Sequence, residues 1–252
     1  MKKERFYIED GENKIPCSLV NLKIERNEVQ KIVLACHGFC SSKDSESTIA
    51  VFEMLENSEI PLLSFDWPGH GDNGEVLTLA NCIHTFNLVE DYIKREFPHA
   101  SIELYGSSFG GYMVLTVLGK RVEEEVPPSG KNVFLKSPAI RMDQILKDSL
   151  IVDTMDTYKE QGYTISNKNN IKIPYLFYEE LCENILTKEK VEKLPWKILA
   201  FHGNNDDIAP FKDVMALRGD NFEVIELEKA PHSFGGSYRK DMAKKVADIL
   251  NE

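Results

Sequence analysis

The pentapeptide Gly106-Ser107-Ser108-Phe109-Gly110 sets a serine between glycines two residues to either side. That spacing suits a serine on a sharp strand-to-helix turn. The glycines let the backbone pass without clash, and the hydroxyl stands exposed as a nucleophile. Ser107 is not the centre of the pattern, because Tyr105 and Phe109 would then replace both glycines. The surroundings agree: the strand-like Ser101–Tyr105 precedes the motif, and an apolar helical stretch, Tyr112–Val122, follows it.

A serine hydroxyl is a weak nucleophile until a base takes its proton. The histidines are His37, His70, His84, His99, His202 and His232. For a serine on an elbow of this kind the chain order is serine, acid, histidine, which leaves His202 and His232. His202 closes an apolar strand and precedes the acid candidates. His232, in Ala230-Pro231-His232-Ser233-Phe234, falls between the last strand and the last helix, from where it can reach over the sheet edge. His232 is therefore the expected base. The acid must hold the imidazole tautomer and stabilise the imidazolium. Asp206 and Asp207 both follow the strand ending at Phe201, and spacing does not separate them. A developing oxyanion needs two backbone donors. The N–H of Phe109, at a helix N-terminus, is one. The N–H of Phe39, after the strand KIVLAC and the permissive Gly38, is the other.

These residues need elements to hold them. Arg5–Ile8 and Ile15–Ile24 read as strands around a turn at Asp10-Gly11. Lys31–Cys36 and Ile60–Phe65 are continuous apolar runs, as in strands buried on both faces. Asn132–Leu135, Trp196–Phe201 and Phe222–Leu227 read as further strands. Ser45–Asn57, Leu79–Phe97 and Tyr238–Leu250 read as helices. In Leu79–Phe97 the residues Ile83, Phe86, Val89, Ile93 and Phe97 are expected on one face. Strands alternating with helices predict an α/β fold of three layers, with a mostly parallel, doubly wound sheet. The opening strands suggest an antiparallel edge. Residues 138–195 are too long for a simple connection. They contain helical pieces at Asp143–Met155 and Tyr175–Leu186. We read about 139–194 as a cap inserted into a single domain of residues 1–252. Its Tyr158, Tyr163, Tyr175 and Tyr178 would suit an apolar or aromatic substrate group.

Composition sets the outer bounds. A 252-residue unit with 42% hydrophobic and 28% charged residues can bury a core without disulfides or metals. A net charge of −11 disfavours nucleic acid and anionic membranes as partners. Five scattered cysteines make no disulfide framework. Cys36 and Cys40 flank His37, but no second pair stands at zinc-like spacing, so no metal is expected. No signal peptide or membrane span is visible, so the cytoplasm is the expected compartment. A homodimer is left open.

With these residues in hand the chain resembles the α/β-hydrolase superfamily. It is most similar to compact bacterial esterases of the cinnamoyl and feruloyl type and to the serine aminopeptidase and monoacylglycerol lipase group. The resemblance rests on His37-Gly38-Phe39, Asp66-x-Pro68-Gly69-His70-Gly71-Asp72, Gly106-x-Ser108-x-Gly110-Gly111, His202-Gly203-x-x-Asp206 and Pro231-His232-Ser233-Phe234. It implies the three-layer fold and a triad of Ser108, Asp206 and His232. Within H-G-x-x-D it selects Asp206 over Asp207. It also implies structural roles for His37 and His70. Ser107 departs from the histidine many relatives carry there, and the cap matches no substrate-specific pattern. The expected activity is cofactor-free hydrolysis of small-molecule carboxylic esters through an acyl-enzyme. The alternatives are an aminoacyl amide, bound through Glu179, Glu180 or Glu183, or a thioester on the same triad. A hydrolase-fold binding protein without catalysis is a further alternative.

Overall fold

The computed structural model describes residues 3–151, 153–166 and 169–252. Strands β1 (Lys3–Asp10) and β2 (Asn13–Val20) form an antiparallel hairpin across the turn at Gly11. β3 (Lys31–Cys36) buries every residue after Lys31, as its unbroken apolar run requires. β4 (Leu62–Phe65), β5 (Ser101–Ser107), β6 (Asn132–Lys136), β9 (Lys197–Gly203) and β10 (Phe222–Leu227) complete one sheet. Its order is β1-β2-β4-β3-β5-β6-β9-β10, antiparallel at β1–β2 and β2–β4 and parallel elsewhere. The expected antiparallel edge and parallel centre are both present.

Helices cover the two faces. α1 (Glu46–Leu55) and α9 (Gly236–Leu250) pack on one side, over Val33, Ala35, Tyr105, Phe134 and Phe201. α2 (Leu79–Glu96) and α3 (Phe109–Glu123) pack on the other, over Ile32, Leu34, Leu104 and Leu135. The alternation of strand side chains between faces divides the core in this way.

Local chemistry moves several boundaries. The expected strand through Ile24 stops at Val20. Asn21 has a φ of 62°, and its amide donates to the carbonyls of Leu55 and Ile60 at 2.8 and 2.9 Å. That turns the chain out of the ladder. On α2 the buried face is Cys82, Phe86, Val89 and Ile93, with Ile83 half-buried at its flank. These four follow the i, i+4, i+7, i+11 stripe more closely than the expected set.

Residues 137–196 separate β6 from β9. α4 (Met142–Ile145) runs into a π-helical turn at Leu146–Leu150 and ends there, not at Met155. Thr154 starts a new helix, α5 (Met155–Gln161), because its hydroxyl accepts from Thr157 N–H. A short hairpin, β7 (Tyr163–Ile165) and β8 (Lys172–Pro174), leads into α6 (Tyr175–Glu183) and α7 (Lys188–Glu192). Two contacts tie this segment to the sheet's helices. The Glu180 carboxylate accepts from Leu79 N–H at 2.6 Å, at the N-terminus of α2, where a negative charge is favoured. The Tyr112 hydroxyl donates to the Asn184 carbonyl at 2.9 Å.

Among the described residues, no helix is long and apolar enough to cross a membrane, and no group of three or more His, Cys, Asp or Glu is arranged to hold a metal ion.

Candidate active site

Ser108 joins β5 to α3 with φ 52° and ψ −115°, a conformation costly for any residue with a side chain. Neighbouring backbone holds it there. Its N–H donates to the Lys136 carbonyl at 2.8 Å, and its carbonyl accepts from Gly111, Tyr112 and Ala139 at 2.9–3.1 Å. The flanking glycines are forced by packing. A Cβ on Gly110 would sit 2.2 Å from the Cys36 carbonyl oxygen, and one on Gly106 would sit 2.8 Å from the Gly110 carbonyl oxygen. Both obstacles are backbone and cannot swing aside. Gly110→Ala is therefore expected to destabilise the fold by roughly 3 kcal/mol or more, as overpacking against rigid neighbours does. Urea unfolding measures this; an unchanged midpoint would contradict the elbow's geometry.

The three candidate triad side chains come from separate loops and meet in sequence. His232 Nε2 lies 3.0 Å from Ser108 Oγ, and His232 Nδ1 lies 2.8 Å from Asp206 Oδ2. With a carboxylate at Nδ1, the neutral ring carries its proton there, and Nε2 is free to accept from the serine. The Asp206 side chain is fully buried, whereas Asp207 is exposed and stands apart from the imidazole. Asp206 Oδ1 accepts from Ile208 and Ala209 N–H at 3.0 and 2.8 Å. Burial opposes its ionisation, but the hydrogen bonds from His202, His232 and the backbone prevail and hold the carboxyl far below the usual carboxylate range. The proton of the Ser108 hydroxyl therefore faces the Nε2 of a ring that is backed by a permanent anion.

His202 enters the site in a role the sequence reading did not give it. It is buried, with Nε2 3.1 Å from Asp206 Oδ2 and 2.8 Å from the Ala209 carbonyl. It braces the acid from the side opposite His232. Its spacing of four from Asp206 was the available signal.

The loop carrying Phe39 lies against the elbow: a Cβ on Gly38 would be 3.4 Å from both Ser107 O and Ser108 Cβ. Phe39 and Phe109, the residues expected to give the oxyanion its backbone donors, meet edge to face through their rings at 5.4 Å. As the first residue of α3, Phe109 has no intrahelical acceptor for its N–H. Phe177 of α6 stacks on Phe39 at 6.3 Å and meets Phe109 edge to face at 6.0 Å. It brings the inserted segment to the elbow.

The four tyrosines lie elsewhere. Tyr158 is completely buried, and its hydroxyl donates to the Pro174 carbonyl at 2.7 Å. Tyr175 and Tyr178 pack on it at 5.0 and 6.3 Å. Tyr163 is exposed, with Lys172 Nζ 4.2 Å from its ring centre. Three of the four pack on one another within the insertion, alongside the buried Ile173, Phe177 and Leu181. Phe177 and Leu181, spaced i, i+4, form the face of α6 that turns inward.

His37 and His70 sit beneath the Phe39 loop as neutral, buried rings. His37 Nε2 accepts from Trp67 N–H at 3.2 Å, and its Nδ1 pairs with the Gly38 carbonyl at 2.8 Å. His70 Nδ1 pairs with the Pro68 carbonyl at 2.9 Å. Burial pushes His37 down to about 4 and His70 down to about 3, His37 adding to the latter shift. The unfolded chain thus takes up these protons first, so the stability they support is complete above about pH 6.5 and falls below it. Each is expected to cost about 2 kcal/mol between pH 7 and pH 5. Urea midpoints at the two pH values, followed by tryptophan fluorescence, check this; equal midpoints would exclude it.

The family model described as Serine aminopeptidase, S33, matches residues 27–177, more than half of the chain. The chain belongs to this family. A lysophosphatidylserine lipase, ABHD12 of Macaca fascicularis, is 18% identical over 188 residues, which is 72% of this chain and 43% of that protein. The chain spans less than half the length of the curated relatives it matches. Among solved structures, Est1E from Butyrivibrio proteoclasticus with bound ferulic acid aligns with a TM-score of 0.79 at 19% identity, covering 98% of this chain and all of that one. Mouse alpha/beta hydrolase domain-containing protein 10 aligns with a TM-score of 0.74 at 16% identity, covering 98% of each chain. At these identities the structural likenesses establish the α/β-hydrolase fold. The S33-family member described here is thus an α/β hydrolase, as its motif order implied.

Proposed function

We propose that the protein is a serine hydrolase that cleaves carboxylic esters, with a small or aromatic acyl group, through an acyl-enzyme on Ser108. The observation that carries this reading is the chain Ser108–His232–Asp206, with links of 3.0 and 2.8 Å and a buried, ionised acid. His232 takes the Ser108 proton as Oγ attacks the carbonyl carbon. The Phe39 and Phe109 N–H groups receive the oxyanion, and His232 passes its proton to the departing alkoxide. Water then attacks the acyl carbon, again losing a proton to His232, and the acid leaves as that proton returns to Ser108. None of these steps calls for a metal or cofactor. The aromatic preference is supported by the half-buried Phe39 beside the elbow and by the ferulic acid bound to Est1E. The reading carries a small-molecule substrate and a cytoplasmic setting.

A second reading, an aminopeptidase, takes its support from the family's description. It wants a free acid for the substrate ammonium. Glu180 is committed to α2, and Glu179 and Glu183 face solvent, which favours the ester. The test is a panel of p-nitrophenyl butyrate, a methyl hydroxycinnamate, a lysophospholipid and an aminoacyl-nitroanilide, with fluorophosphonate labelling read by mass spectrometry. Ester turnover with the label on Ser108 is expected. Turnover of the anilide alone moves the protein to the second reading, and a label elsewhere sinks the mechanism.

A further inference from the structure

Lys136, the last residue of β6, is buried beside the candidate base yet serves no step above. Its Nζ donates to the main-chain carbonyl of His232 at 2.6 Å and lies 4.7 Å from the Phe234 ring centre. The Ser137 hydroxyl donates to the same carbonyl at 3.1 Å. A carbonyl oxygen carries two lone pairs, and Ser137 and Lys136 together fill both. Among the described residues no carboxylate stands within ion-pair distance of the ammonium. A buried amine without such a partner is costly, and the preceding residues of the strand, Val133, Phe134 and Leu135, are apolar.

The charges around it are few. Asp206 faces it from the loop after β9, with His202 braced behind that carboxylate. His232 faces it from the loop after β10. Arg239 approaches from α9 and is paired with Glu46 of α1 at 2.7 Å. Burial pushes the Lys136 amine down to about 8, Asp206 pulling it up and Arg239 pushing it further down. The group therefore remains largely protonated at neutral pH, bonded to the main chain of the residue whose ring must accept a proton.

We propose that Lys136 is a positioning residue for the base: with Ser137 it clamps the His232 main chain, and its charge keeps the imidazole neutral between turnovers. The kinetic half rests on the ester-hydrolase reading; the electrostatic half does not. A cation near an imidazole disfavours the imidazolium, so removing it raises the ring's titration midpoint. Losing the clamp lets the base drift from Ser108, which lowers kcat more than it alters KM.

The experiment compares wild type with Lys136→Met and Lys136→Gln. The His232 ring is titrated by NMR without substrate, its signal assigned through a His232→Ala protein, and kcat and KM are measured on p-nitrophenyl butyrate. Lys136→Met is expected to raise the His232 midpoint by about half a pH unit or more. Its kcat should fall about tenfold, with KM within about threefold. Glutamine keeps a donor and loses the charge, so Lys136→Gln should recover most of kcat while its midpoint stays raised. An unshifted midpoint in both variants overturns the proposal, as does a glutamine variant no faster than methionine. Should the methionine variant not fold, Lys136→Gln decides alone: a raised midpoint with near-wild-type kcat supports the clamp and the charge, and an unshifted one overturns them. Wild-type protein without ester turnover, in contrast, defeats the function proposed above, and the substrate-free midpoint still judges the role of Lys136.

Discussion

Ser108→Ala is expected to lower ester turnover by roughly 10⁴–10⁶-fold, the loss seen when the nucleophile of such a unit is removed. The side chain is lost at Oγ only, so the substrate pocket and the Phe39 and Phe109 donors remain and KM should change little. The elbow should survive as well, since φ 52° costs alanine about what it costs serine. The measurement is kcat/KM on p-nitrophenyl butyrate, with the wild-type active fraction counted by fluorophosphonate. Turnover retained within tenfold would place the nucleophile elsewhere. Among the described residues, Ser108 Oγ is the hydroxyl hydrogen-bonded to His232 Nε2, at 3.0 Å.

The next largest effect is expected at Asp206. Asp206→Asn should reduce kcat by about 10⁴-fold, while Asp207→Asn stays within about twofold. The reason is donor and acceptor matching. Asp206 Oδ2 faces both His232 Nδ1 and His202 Nε2, at 2.8 and 3.1 Å. An amide can keep Oδ1 on the Ile208 and Ala209 N–H groups, so the turn persists. Its NH₂ then points at the two rings and drives His232 to the tautomer with its proton on Nε2, where it cannot accept from Ser108. Activity assays of the two variants side by side settle the pair. The reverse ranking would contradict the acid assignment.

The structural likeness to Est1E extends over 98% of the chain, and so into the inserted segment. The motif-bearing loops surround one strained serine, and strict packing demands explain their glycines. The inserted segment contributes Phe177 to the site and keeps its tyrosines for itself. Phe39, Phe109 and Phe177 pack together beside Ser108 with ring centres about 5–6 Å apart, Phe109 and Phe177 fully buried. A residue outside this set, Lys136, acts on the base and not on the substrate.

Much of this was legible in the chain alone. Gly106, Ser108 and Gly110 announce an elbow because a short segment must satisfy all its sterics locally. The apolar runs of β3 and β4 announce a buried parallel sheet because both faces must be covered. His232 followed from chain order, and Asp206 from its place in H-G-x-x-D. Three things were not legible. Spacing could not tell Asp206 from Asp207, adjacent residues that differ only in which of them the turn at Ile208 and Ala209 draws inward. Tyrosine content pointed to Tyr158, Tyr163, Tyr175 and Tyr178, and did not mark Phe177, the α6 ring that helix phase sets against Phe39 and Phe109. Nothing marked Lys136, whose partner is 96 residues away, and only a spacing of four from Asp206 hinted at His202. Local sequence fixes dihedrals, periodicity and the residue types available for chemistry. Which of those side chains share a site depends on contacts between distant segments, and only the packed sheet and its loops decide them.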